Sequence, residues 1–121
     1  MERKVKKEIR ALLKELGASV ATKGFNYAIE VICDGVINDT PIIKGSKLCA
    51  NWAPIFGDTY VKTERSLRSV KDTCLLKSGN TPKFIEIFGV MSEDYKLHLY
   101  DFLESIRLYI SEKMEEESWQ I

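Results

Sequence analysis

TYVKTERSLRSVK, residues 59–71, packs four cations and a single acid into thirteen residues. At about 100° per residue, Thr63, Leu67, Val70 and, one turn on, Cys74 gather on one side of a helix. Lys62, Arg65 and Arg68 fall almost opposite, and the local charge is 4 − 1 = +3. The spacing predicts a helix with a buried stripe beneath an exposed cationic ridge, the cations forming a strip and not scattered i, i+4 ion pairs. It should run to about Lys77, because Gly79 suits a left-handed helix end and Pro82 blocks continuation.

Immediately before it stands ANWAPIFGDT. Proline is tolerated in the first turn of a helix, where its missing N–H has no partner to lose, so Pro54 implies a short helix over 51–56 capped by Asn51. Gly57 and Asp58 make a turn, and Asp58 or Thr59 caps the long helix. A short helix, a tight turn and a longer basic helix is the order of a helix-turn-helix, whose second helix enters the DNA major groove. In that setting Arg65, Arg68 and Lys62 are donors suited to guanine O6 and N7, and Glu64 is an acceptor for cytosine N4. Thr59, with the free N–H groups of the helix start, suits a phosphate. Lys71, Lys77 and Lys83 would extend the basic surface along the DNA backbone.

The rest of the chain reads as helix. Val5, Ile9, Leu12, Leu13 and Leu16 form one apolar stripe over about 3–16, stopped by Gly17. Phe25, Ile29, Ile32 and Val36 form a second after a turn at Lys23-Gly24, ending before the loop NDTPIIKGS with its Pro41 and Gly45. KFIEIFG, residues 83–89, is compatible with a helical turn or a strand. Ser92-Glu93-Asp94 opens a last helix bearing Leu99, Phe102, Leu103, Ile106, Tyr109 and Ile110. The chain is mostly or wholly α, and its 121 residues fit one domain with one core.

Bulk charge announces no partner, since 18 basic residues balance 18 acidic ones. The balance is uneven locally: five cations against two acids in the first ten residues give +3, and Lys113 against Glu112, Glu115, Glu116 and Glu117 gives −3. The acidic run is expected to lie away from the cationic ridge, where it would oppose DNA. Cys33, Cys49 and Cys74 are odd in number and form no C-x-x-C pair, so they read as free core thiols in a reducing compartment. The first residues carry no apolar leader, and a cytoplasmic protein is expected.

Beyond the ridge, sites are scarce. His98 is the only histidine, so no metal, cofactor or catalytic constellation is expected, and no enzyme. Trp52 reads as a core anchor, and Trp119 as part of a tail that is disordered or docks on a partner. No Gly-rich loop with Lys-Ser or Lys-Thr follows Lys23-Gly24, so no nucleotide site is expected there.

With these landmarks in order, the chain resembles the C-terminal DNA-binding effector domain of the sporulation initiation response regulators of endospore-forming Firmicutes. The resemblance rests on Leu16-Gly17, on KGFNY at 23–27 with Glu30 beyond, and on Leu48, Ala53, Phe56 and Thr59. It continues through Glu64-Arg65 and Arg68, Gly79-Asn80, Phe88-Gly89 and the final helix DFLESIRLYISEK, covering about residues 5–114. It implies an all-α domain of about six helices, unrelated to winged helices, with the helix-turn-helix at about 48–77. It also implies sequence-specific binding of double-stranded DNA, transcription regulation in sporulation, and action as a homodimer or in tandem on boxes with a GTCGAA-like core.

Carried over, the contacts fall on Lys62, Glu64, Arg65 and Arg68. Lys62 stands where the family usually has arginine, and an ammonium cannot reproduce a bidentate fork. Val61 stands where the family has a small polar residue, exchanging a hydroxyl contact for an apolar one to a thymine methyl. The family's receiver domain is missing before the first helix, so a solitary or excised effector domain is expected. The other reading is a helical protein-interaction module that keeps the fold and has lost DNA binding.

Overall fold

The computed structural model describes residues 1–44, 47–91 and 97–119, and of residues 118 and 119 the backbone only. Six helices follow one another: α1 (Glu2–Glu15), α2 (Lys23–Ile37), α3 (Leu48–Phe56), α4 (Tyr60–Ser78), α5 (Pro82–Phe88) and α6 (Leu99–Trp119). No strand occurs among the described residues. The segment 83–89, compatible with either state by pattern, is helical: Pro82 occupies its first turn, and the Thr81 hydroxyl accepts from the Phe84 N–H at 3.2 Å.

The apolar stripes converge on one core. Val5, Ile9, Leu13, Phe25, Ile32, Leu67, Phe84, Phe102, Leu103 and Ile106 are buried together, so the i, i+3, i+4 spacing of each helix meets the others at the centre. α2 packs against α1, α4 and α6. Cys33, Cys49 and Cys74 are free and buried, and burial pushes the Cys74 thiol up to about 12.

Four local expectations are corrected. Lys23 and Gly24 are not a turn but the first residues of α2, because Thr22 caps that helix by accepting from the Phe25 N–H at 3.2 Å. α3 begins three residues before Asn51, at Leu48, with Lys47 in a left-handed conformation (φ 57°) and no side-chain cap, and Pro54 therefore lies in the helix interior. Ala50, whose carbonyl Pro54 leaves without an intrahelical donor, is exposed to water. Gly79 is right-handed (φ −57°), since the chain reverses through extended Thr81 instead. The cap expected at Ser92-Glu93-Asp94, and the punctuation expected of Gly45, lie outside the described residues.

The link into α4 is tight. Gly57 is left-handed (φ 67°), which lets the N–H groups of Gly57 and Asp58 bond back to Pro54 (3.1 Å) and Ala53 (2.9 Å). Trp52 stacks on Phe56 (5.3 Å), and Phe56 stacks on Tyr27 of α2 (4.0 Å, 5° between planes), fastening α3 to the core. Tyr27 also donates to Asp58 at 2.9 Å.

α4 is seated by an unusually close approach. A Cβ on Gly24 would lie 2.1 Å from the Ser66 carbonyl oxygen, so only glycine lets the start of α2 touch the backbone of α4. At the opposite corner, Arg107 of α6 is buried. Its guanidinium grips Glu104 at 2.6 and 2.8 Å and reaches Asp39 at 3.6 Å, while Glu104 also accepts from the Ile42 N–H at 2.8 Å.

The two charged ends of the chain meet. Lys4 pairs with Glu117 at 2.9 Å, and Glu8 with Lys113 at 2.8 Å. Tyr100, in the first turn of α6, lies near Cys49 and Glu64, so the run ending at Glu117 sits about 25 Å further along the helix. The acids close against α1, far from the start of α4. No helix among the described residues is long and apolar enough to cross a membrane.

Candidate nucleic-acid interface

Thr63, Leu67, Val70 and Cys74 are buried, and Lys62, Arg65 and Arg68 are exposed. Amphipathic spacing fixes this orientation: once the apolar stripe is seated, the cations have only the water side left. The Thr63 hydroxyl is fully buried with no hydrogen-bond partner among the described residues.

At the start of α4 the Thr59 hydroxyl accepts from the Lys62 N–H at 3.2 Å. The N–H groups of Tyr60 and Val61 belong to the first turn and have no intrahelical acceptor. Beside them, Asp58 accepts from the Thr59 N–H at 2.9 Å and from Tyr27. Those two bonds, the backbone one foremost, hold its carboxyl below the usual range. An anion is thus already present at the positive end of the helix.

Glu64 and Arg68 act as one unit. The guanidinium donates to the carboxylate at 2.7 Å, and that bond, with help from the Tyr60 hydroxyl, lowers the carboxyl pKa. This corrects the expectation of a strip without i, i+4 pairing; Glu one turn before Arg is the favourable orientation. Lys62 and Arg65 differ, with no carboxylate within ion-pair distance among the described residues. Arg65 and Arg68 form the wall between two shallow hollows. One, of about 260 Å³, is lined by Tyr60, Val61, Glu64 and both arginines. The other, of about 300 Å³, continues over Ser69, Asp72, Thr73 and Leu76.

Lys71 is the one named ridge residue that the structure removes from the surface. It is 6% exposed, and its ammonium reaches Asp72 at 3.2 Å. The wheel explains this, since Lys71 lies only about 40° from Leu67 and its stem is drawn into the buried stripe. Lys83 is also engaged, donating to the Tyr109 hydroxyl at 2.6 Å, whereas Lys77 is exposed.

Two exposed apolar side chains that the charge pattern obscured, Tyr60 (48%) and Val61 (59%), stand at the start of the ridge; Val61 was expected here, Tyr60 was not. Lys23, brought in by the tertiary packing of α2, sits near enough to Asp58 to share its field with Lys62. His98 is exposed, and no cluster of three His, Cys, Asp or Glu side chains that could hold a metal occurs among the described residues. Comparison with family models, with curated proteins and with solved structures gives no match to this chain.

Proposed function

We propose that the chain is a sequence-specific reader of double-stranded DNA, a transcription regulator whose α3–turn–α4 unit works as a helix-turn-helix. The observation that carries this reading is the exposed ridge of α4, where Lys62 and Arg65 stand without carboxylate partners among the described residues, in a chain of zero net charge. Arg65 is the free bidentate donor for guanine. Arg68 is held toward Glu64 at 2.7 Å, and the Glu64 carboxylate has lone pairs left over for cytosine N4. Val61 and Tyr60 supply apolar contact, and Thr59 with the first-turn N–H groups takes a phosphate. The sporulation-regulator resemblance supports tandem or dimeric action on repeated boxes.

The second reading, a helical interaction module without DNA binding, is favoured by Asp58, an anion fixed where a phosphate would dock. Fluorescence anisotropy separates the two. A labelled duplex with two tandem GTCGAA-type boxes is titrated beside a scrambled duplex at low and high salt. A preference for the boxes that weakens with salt and disappears in Arg65→Ala supports the DNA reader. Absence of binding to either duplex supports the interaction module.

A further inference from the structure

A second cationic line runs along α1. Arg3, Lys7, Arg10 and Lys14 step by four, three and four, which gathers them within roughly 60° of the helix circumference. All four are exposed, and none lies within ion-pair distance of a carboxylate among the described residues. The remaining cations of the helix are committed: Lys4 to Glu117 at 2.9 Å, and Lys6 to Glu2 and Glu30 at 3.1 and 3.0 Å. The acids of α1, Glu2, Glu8 and Glu15, all lie at least about 100° from the centre of the line. The line itself is of one sign, with Glu2 at its edge, where it shares a shallow hollow with Arg3, Lys7 and Arg10 and pairs with Lys6.

Its position connects it to α4. The Arg10 guanidinium lies 5.9 Å from the centre of the Phe25 ring. Phe25 follows Gly24, the residue that abuts the Ser66 backbone. Lys23, one residue earlier, shares the field of Asp58 with Lys62. Cations without ion-pair partners among the described residues thus lead from Lys62 through Lys23 to Arg10, and the line on α1 runs about 16 Å from Arg3 to Lys14. The line offers four cations, enough to neutralise up to four phosphates of a DNA backbone.

We infer that the α1 line is a second, sequence-independent contact to the DNA backbone, beside the duplex held by α4. This inference rests on the DNA reading of α4. A polyanion backbone is favoured over an acidic protein because the line carries no aromatic or aliphatic anchor, the feature around which protein interfaces concentrate their affinity.

The test uses the full chain carrying Arg3→Ala, Lys7→Ala, Arg10→Ala and Lys14→Ala, titrated by anisotropy against the box-bearing and scrambled duplexes over a range of salt. Circular dichroism verifies that the variant keeps its helices, and Arg3→Lys with Arg10→Lys serves as the charge-preserving control. At 0.1 M salt each lost phosphate contact weakens both duplexes about eightfold and makes the salt slope shallower by about 0.9. The ratio between duplexes stays unchanged, and the lysine control keeps the wild-type slope. Unchanged affinity and slope in the alanine variant would overturn the α1 contact, while loss of box preference in Arg65→Ala would leave the α4 reading standing. Equal wild-type binding to both duplexes that falls in the alanine variant supports the α1 contact and counts against base reading. No wild-type binding to either duplex overturns both.

Discussion

Arg107 and Arg65 are the same residue type set in opposite surroundings. Arg107 is 4% exposed and holds Glu104 in two hydrogen bonds beside the 39–42 loop. Arg65 is exposed, and among the described residues no carboxylate reaches it. A buried guanidinium is committed to the fold, because stripping its partners leaves an uncompensated charge in a poor solvent. An exposed one with no partner is free to exchange water for an external acceptor. The difference separates residues whose loss unfolds the chain from residues whose loss silences a surface.

The sharpest break of that comparison is Arg107→Ala, which strips Glu104 of its cation and leaves it only the Ile42 N–H, and should cost about 3 kcal/mol. Chemical denaturation reads it directly, and an unchanged midpoint would show that the corner is not held by this ion pair. Next comes Gly24→Ala, expected to cost about 2 to 3 kcal/mol as α2 and α4 are pushed apart; a smaller loss would mean that the Ser66 backbone yields. Arg65→Ala should leave the denaturation midpoint in place and remove about 1 to 3 kcal/mol of discrimination between box-bearing and scrambled duplexes. If Arg65→Ala instead unfolds the chain, the contrast collapses.

Acid sharpens the same contrast. The Arg107 guanidinium, more than the Ile42 N–H, holds Glu104 below its ordinary pKa. A depressed carboxyl contributes stability that is present above its unfolded value, about 4.3, and is lost as pH falls through the folded value. Stability should therefore decline below about pH 4.3, and the decline should be shallower in Glu104→Gln. The smallest effect is expected of Thr63→Val, which deletes a buried hydroxyl without a partner and should stabilise by about 1 kcal/mol. A loss of stability there would reveal a hydrogen bond to that hydroxyl.

Much of this is legible in the sequence, for a physical reason. Apolar spacing at 3 and 4 encodes which face of each helix is buried, so the stripe on α4 also places Lys62 and Arg65 in water. The wheel could equally have shown that Lys71 borders Leu67, and that Glu64 and Arg68 are one turn apart and correctly ordered to pair. Other features have no local signature. α3 starts at Leu48 behind Lys47, which gives it no capping side chain, so no local capping signal marks Leu48 as helical. Gly24 resembles a turn glycine until α4 is packed on it, and Lys23 joins the ridge only through that packing. Ion pairs between α1 and α6 were hinted at by charges of +3 and −3 at the two ends, but their contact is a product of topology.

The Gly24 contact also has a mechanical meaning. Where main chain rests on main chain, the separation of two helices is set by covalent geometry and van der Waals radii, not by the rotamers of an interposed side chain. The junction then behaves as a fulcrum. α4 can tilt about Ser66 but cannot draw nearer to α2, so a change of side-chain volume elsewhere in the core would alter the pitch of the cationic ridge while leaving its depth fixed.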